Sequence, residues 1–289
     1  MTPALRGILL ICAATLCFIG LDSMNKLMTR ELPPLQVVWG RTAAQFVLMS
    51  VILLPRMGTR LVRTRRPWIQ VARGIFLGLS SVFAVFALSR MPLADAVAIA
   101  NLQPLMIVML SAIILGERPS VARWLAVGVG FVGVLVVVRP GGGGTSLIGA
   151  LFMFSASVTM SFYFILTRKL GTIEIPVTSL YLVSAVGAVM FSATAPAVWV
   201  PMPSPWYWAG FVLAGCLGGF GHFLMTRAIA LAPASTLAPF TYTTLIWATA
   251  ASWIGFGDVP NWSTLLGITI IGGAGIYSAL LERRDSRRT

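Results

Sequence analysis

The sequence predicts an all-α membrane protein, with ten transmembrane helices arranged as two inverted five-helix repeats. Three observations carry that prediction. Of the 289 residues, 57% are hydrophobic and only 10% charged, with mean hydropathy +0.89, whereas about a quarter of a soluble domain is charged. Apolar segments long enough to cross a bilayer recur along the whole chain. The second half also repeats the punctuation of the first at a nearly constant offset.

Composition sets the solvent. No soluble fold has an interior large enough for this much apolar surface, so most of the chain must sit in lipid. A spanning helix takes ~20 apolar residues, so ten of them use roughly 200 and leave short connections with no room for a separate soluble domain. The formal net charge is +13, which in a soluble protein would suggest nucleic acid. Here the basic residues lie in short loops between apolar segments and read as an orientation signal, so the expected partner is the lipid bilayer and not nucleic acid. Cys12, Cys17 and Cys216 all lie within apolar segments without a C-x-x-C spacing. They read as reduced core residues. The first twenty residues mimic a signal peptide, but the apolar run exceeds the usual length and lacks a convincing cleavage site. They also have a counterpart in the second half, and are expected to form the first span.

The apolar segments fall at 5–27, 35–55, 68–90, 93–115, 121–138, 146–168, 177–198, 206–228, 235–256 and 262–281. Each must be a helix, because a lone strand would leave its amides unpaired in hydrocarbon. With ten spans, one side of the membrane receives fifteen basic residues: Arg6, Arg56, Arg60, Arg63, Arg65, Arg66, Arg118, Arg123, Arg168, Lys169, Arg227, Arg283, Arg284, Arg287 and Arg288. The other side receives four: Lys26, Arg30, Arg90 and Arg139. Cytoplasmic loops carry the excess of Lys and Arg, so both termini are expected in the cytoplasm and the protein in a bacterial inner (plasma) membrane.

A shift of 141 positions superimposes Ala87, Pro92, Gly116 and Pro119 on Ala228, Pro233, Gly257 and Pro260, so that GERP at 116–119 reappears as GDVP at 257–260. The same shift carries Gly74 and Gly78 to Gly215 and Gly219. A shift of 142 carries Gly7, Lys26, Pro34, Gly130 and Gly133 to Gly149, Arg168, Pro176, Gly272 and Gly275. The expected units are 1–140 and 146–289, joined by a flexible linker at Gly141–Gly144. Five spans are an odd number, so the second unit enters the membrane from the opposite side. Inverted repeats of this kind place a substrate site near mid-membrane between the halves and underlie alternating access. Transport of a small molecule is the expected function, with an intramembrane enzyme or a receptor as the alternative from a different class.

The G-E-x-P turn at Gly116, Glu117, Arg118 and Pro119, its partner Gly257, Asp258, Val259 and Pro260, and the preceding P-L-A-D-A-V-A-I at 92–99 resemble the EamA family of the drug/metabolite transporter superfamily. The resemblance covers the whole chain. It implies an exporter of amino acids and related metabolites, as in aromatic amino acid exporters of the YddG type, with sugar-phosphate and nucleotide-sugar exchangers as the neighbouring possibility. It also implies a cavity lined by spans 1, 3, 4, 6, 8 and 9, with spans 5 and 10 peripheral. Small multidrug pumps of the superfamily use a glutamate in the middle of the first span. This chain has Cys12, Ala13, Ala14, Thr15 and Leu16 there, which argues against that mechanism.

Polar groups at mid-membrane depth mark candidate pathways, because they are costly unless partnered or wet. In span 4 these are Asn101 and Gln103, followed by Pro104. The repeat carries them to Tyr242 and Thr244 in span 9, beside Thr241 and Thr243. Hydrogen bonding across a helix interface is the alternative use of such amides. Span 6 carries Ser155, Ser157, Thr159, Ser161 and Tyr163, a stripe that suits close packing as well as substrate contact. Tyr163, Trp247 and Phe240 offer an aromatic wall. His222, the only histidine, aligns with Ser81 and is either a structural residue or a cavity and proton-carrying group. The candidate substrate site is therefore Asn101, Gln103, Tyr163, His222, Thr241, Tyr242, Thr244 and Trp247.

Asp22 and Asp95 read as capping or salt-bridging residues near helix ends, with Arg90 in reach of Asp95. Arg41 and Arg73, near span ends, are placed to snorkel. With no carboxylate at mid-depth, passage down a gradient is expected over antiport. With no Lys or Arg at mid-depth of the implied cavity spans, a zwitterionic amino acid is expected over a phosphorylated sugar, since phosphate calls for Arg or Lys donors.

Gly128, Gly130 and Gly133 match G-x-G-x-x-G, but a dinucleotide fingerprint follows a strand. This one lies inside a spanning helix and reads as close helix contact. No Ser-His-Asp set, metal-ligand cluster or catalytic carboxylate pair emerges. No catalytic residue, metal or cofactor is expected, and the protein is not expected to be an enzyme. The sequence does not set the oligomeric state, and a monomer is compatible with it.

Overall fold

The computed structural model describes residues 2–114, 116, 119–139, 145–170, 174–232 and 234–285. Glu117 and Arg118 of the first turn, Pro233, and the linker Gly141–Gly144 lie outside the described residues, as do the last four residues of the tail.

Helices α1 (Pro3–Met28), α2 (Pro34–Met57) and α3 (Pro67–Leu88) open the chain. The fourth span is broken into α4 (Leu93–Ala100) and α5 (Gln103–Ile114). Then follow α6 (Val121–Val138), α7 (Leu147–Leu170), α8 (Pro176–Thr194) and α9 (Trp206–Leu231). The ninth span is also broken, into α10 (Ala234–Thr241) and α11 (Thr243–Ala250), the latter running into a π-helical turn, Ala251–Gly255. Finally, α12 covers Trp262–Asp285. Among the described residues nine segments are long and apolar enough to cross a membrane. The interrupted ninth span completes the ten.

Proline sets several starts. Pro3, Pro34, Pro67 and Pro176 sit at the first turn of α1, α2, α3 and α8, where the missing N–H would have had no helical partner. Outward-facing Val51, Ile113, Val189 and Ile254 are exposed, as a lipid-facing surface requires. Tryptophans mark both ends of the bundle: Trp68 and Trp124 at one, and Trp199, Trp208, Trp253 and Trp262 at the other, all of them exposed. That is the aromatic belt of a membrane protein.

The packing obeys a two-fold relation. α1 lies on α9 as α3 lies on α7, α2 on α9 as α8 on α3, and α6 pairs with α12 at the periphery. Small residues permit the closest approaches. A Cβ at Gly267 would stand 2.8 Å from the Gly133 carbonyl, so α6 and α12 cross nearly backbone to backbone, as small residues allow in membranes. Of the glycine pattern of α6, Gly130 and Gly133 therefore serve helix contact, whereas Gly128 faces open space. A Cβ at Gly215 would stand 2.8 Å from the Gln45 amide nitrogen, and its repeat equivalent Gly74 presses on Val186. The two equivalent turn glycines, Gly116 and Gly257, both have left-handed backbone, with φ +67° and +72°.

Candidate functional site

The two span breaks fall at equivalent positions. Asn101 closes α4 with φ −70° and ψ −1°, and Tyr242, its equivalent at an offset of 141, precedes α11 with φ −69° and ψ −6°. Prolines loosen both places. Pro104 cannot donate to the Ala100 carbonyl, and Pro239 interrupts α10, each removing a helical bond. Hydroxyls and an amide then satisfy carbonyls around the breaks. Thr241 Oγ1 donates to Ala238 O at 2.7 Å, Thr243 Oγ1 to Phe240 O at 2.7 Å, and Asn101 Nδ2 to Val97 O at 2.7 Å. Such local repair is what allows irregular backbone at membrane depth.

The breaks border a central cavity of about 620 Å³, within the range of small-molecule sites. It lies between the repeats, and side chains of both line it. Asn101, Gln103, His222, Thr241 and Thr244 are among the lining residues. Thr244 Oγ1 reaches Asn101 Oδ1 at 3.2 Å, and Thr15 Oγ1 lies 2.9 Å from Thr243 Oγ1, so hydroxyls and an amide tie span 9 to spans 4 and 1. His222 meets Phe18 edge to face at 5.0 Å.

Three candidate residues lie off the cavity. Tyr163 is buried under Arg73, whose guanidinium carbon stands 4.9 Å above its ring and whose Nη2 donates to its hydroxyl at 3.3 Å. Tyr242 turns toward α12 and fills the notch at Gly275. Trp247 packs against the core beside Leu245 and Ala248. The serine stripe of α7 is mostly self-satisfied: Ser155, Ser157, Thr159 and Ser161 each donate to the carbonyl four residues earlier. Of the stripe, only Ser157 lines the cavity.

The lining corrects three expectations. Spans 2 and 7 contribute as well, through Arg41, Thr42 and Gln45 on α2 and Leu180, Val183, Ser184 and Gly187 on α8. Arg41 does not snorkel; it faces the cavity, which removes the argument that no cation stands there. Asp22 also lines the cavity with Asn25, so a carboxylate is present after all. A signal for Arg41 existed in its depth. It lies seven residues inside α2, about 10 Å along the axis at 1.5 Å per residue, too deep for a helix-end role. Arg73 is buried too, at 3% exposure, and is spent on Gln70, Tyr163 and Thr167.

One end of the cavity is closed. The half-helices α4 and α11 pack together there, and the Ala94 amide donates to Ser252 Oγ at 3.4 Å. Lys26 Nζ donates to Met91 O at 2.7 Å, lies 3.8 Å from Asp258 Oδ2, and stands 5.5 Å from the Phe256 ring centroid. Asp95 is not paired with Arg90, which is held by Phe86 and Ser89; it accepts from Thr264 Oγ1 at 2.8 Å. At the other end, α5 packs on α6 and α7 while α10 packs on α1, α9 and α12. Ile107, Met225 and Ile229 line the cavity toward that end, which carries both termini. Among the described residues no group of three or more metal-ligating side chains occurs.

Comparison with known proteins places this geometry in a family of small-molecule transporters. The chain is 28% identical over 287 residues to the riboflavin transporter of Rhizobium johnstonii, covering 99% of this chain and 94% of that one. It is 26% identical to an S-adenosylmethionine uptake transporter of Rickettsia prowazekii over 91% of this chain and 89% of the other. The pseudopaline exporter CntI of Pseudomonas aeruginosa is 27% identical, over 98% and 97% of the two chains. A solved crystal structure shares the fold with TM-score 0.62 at 21% identity, over 97% of this chain and 98% of that one. A family model matches twice, over residues 5–139 and 147–280, once per repeat. The chain is a multi-pass membrane transporter of small molecules and belongs to the EamA-like transporter family.

Proposed function

We propose that the protein moves amino acids, including those with apolar or aromatic side chains, and related small metabolites by alternating access, with export as its cellular direction. One observation carries this reading: a cavity of about 620 Å³ lies between two inverted repeats, is closed at one end, and carries polar side chains from both halves. The excess of basic residues in the loops on the side of the termini supports a cytoplasmic position for the termini, and hence for the unsealed end. A cytoplasm-facing cavity suits loading for export. The named relatives support a broad metabolite class and include both uptake carriers and an exporter. The site itself supports an amino acid. Asn101, Gln103, Thr241 and Thr244 offer neutral donors and acceptors, and Ile107, Met225 and Ile229 offer an apolar wall. Arg41 favours a second reading, a sugar phosphate, since it supplies one donor group for an oxyanion.

Purified protein in liposomes, loaded with unlabelled solute and presented with labelled solute outside, discriminates these. Exchange of leucine or phenylalanine is expected, with Asn101→Ala slowing it by about tenfold through loss of a polar contact of about 1–1.5 kcal/mol. Exchange of glucose 6-phosphate with none of amino acids would refute the amino-acid reading.

A further inference from the structure

The closed end of the cavity holds an unusual set of groups. Arg41 Nε is buried without a hydrogen-bond partner, and so is Asn25 Oδ1 on α1, in a residue only 2% exposed. Asp22, one turn before Asn25, lies near enough to Arg41 for their charges to act on each other, yet the two do not close an ion pair. All three line the cavity. By helical rise, Asp22 stands about 9 Å from the C-terminal end of α1 and Arg41 about 10 Å from the N-terminal end of α2, the two ends joined by the loop after Met28. A buried donor and a buried acceptor left unmade are expensive in the interior, and an arginine and an aspartate that meant only to neutralise each other would form a forked pair.

We infer that Arg41, Asp22 and Asn25 form the subsite for the charged head of a zwitterionic α-amino acid. The substrate carboxylate lies on the Arg41 guanidinium, and its ammonium donates to Asp22 and Asn25 Oδ1. The pairing fits in sign and number. One cation and one anion meet one anion and one cation, and the orphan donor and orphan acceptor each gain the partner that they lack. A phosphate fits poorly, because its two charges would have to sit beside Asp22. The rest of the cavity then fixes the other end of the substrate. Beyond Phe18 the lining carries Ile107, Phe164, Met225 and Ile229 together with the polar His222, Gln103 and Thr241, so the favoured side chain is large, mainly apolar and points toward the unsealed end. This subsite rests on the amino-acid reading above and assigns it specific atoms.

The test uses the full chain in proteoliposomes, with phenylalanine as the probe, and a parallel measurement of melting temperature in detergent. Wild-type protein should exchange phenylalanine and be thermally stabilised by it. Phenethylamine, which lacks the carboxylate, and 3-phenylpropanoate, which lacks the ammonium, should each compete at least about tenfold more weakly, the loss expected for one charged contact. Arg41→Gln should abolish stabilisation by phenylalanine and raise its KM by about tenfold or more, and Arg41→Lys should restore part of both. Asp22→Asn and Asn25→Ala should weaken the discrimination between phenylalanine and 3-phenylpropanoate. If Arg41→Gln is too unstable to purify, Arg41→Lys and the Asp22 and Asn25 variants carry the same comparison. Equal competition by all three compounds, or unchanged KM in every variant, would overturn the subsite and leave amino-acid transport standing. A wild-type protein that exchanges riboflavin or glucose 6-phosphate but no amino acid would overturn both.

Discussion

Gly257 turns the chain with φ +72°, and a Cβ built there meets nothing within 4 Å. The cost of a side chain at that position is therefore conformational and not steric, about 1–2 kcal/mol for left-handed backbone. Gly128, inside α6, also has open space around it but keeps ordinary helical backbone. Gly257→Ala should lower the melting temperature by a few degrees, while Gly128→Ala should leave it unchanged or raise it, since glycine costs a helix interior about 0.5–1 kcal/mol relative to alanine. Equal shifts in thermal unfolding would refute the distinction. Single residues were also where sequence reading reached its limit. Depth along a span is legible from counting, and Asn101, Gln103, Thr241, Thr244 and His222 do line the cavity. Azimuth is not, because neighbouring residues point about 100° apart. Tyr242 is equivalent to Asn101 in the repeat and shares its backbone conformation, but its longer side chain finds the notch at Gly275 instead. Arg41 and Asp22 read as helix-end residues by position alone, which hides that both face the cavity.

At the scale of elements, the repeat was the most legible feature. Paired glycines announced paired close contacts, and paired turns announced the span ends. What the sequence did not disclose is that both broken spans stop at the same equivalent residue, since the prolines responsible, Pro104 and Pro239, lie on opposite sides of the break. The contact of α9 with α2 offers a sharp test of element packing. A Cβ at Gly215 would stand 2.8 Å from the Gln45 nitrogen and 3.0 Å from the Arg41 carbonyl, both backbone atoms that cannot move aside. At Gly219, one turn on, the nearest atom is Gln45 Cγ at 3.8 Å, an ordinary contact. Gly215→Ala should destabilise the protein by about 1–3 kcal/mol, as overpacking does, and reduce transport by displacing Arg41. Gly219→Ala should do neither. Thermal unfolding and flux measured side by side check both, and a tolerant Gly215 would mean that α2 and α9 do not pack this closely in the membrane.

At the scale of the whole molecule, the proposed alternating access has two asymmetric states, and the seal at one end identifies the one described here. Lys26 joins the halves there, bonded to Met91 O in its own repeat and 3.8 Å from Asp258 Oδ2 in the other. The ion pair is partly solvated and adds under about 1 kcal/mol, but the charged bond to a carbonyl is worth about 1.5–3 kcal/mol. In sequence, the repeat offsets carry Lys26 to Arg168 and Asp258 back to Glu117, so the chain repeats this pair of charge types on the side to which the basic-residue count assigns the cytoplasm. Under the alternating access proposed above, a charge that seals one end favours the state closed there, and removing it shifts the population toward the other state. Lys26→Met should therefore open the sealed end, and Arg168→Met should favour the state seen here. In a chain with its native cysteines replaced, a cysteine at position 100 on the cavity wall reports the balance through an impermeant thiol reagent added outside intact cells. Labelling should rise by about tenfold in Lys26→Met, the change expected for about 1.4 kcal/mol, and fall in Arg168→Met. Shifts in the same direction would mean that these charges anchor the bundle without selecting between its two states.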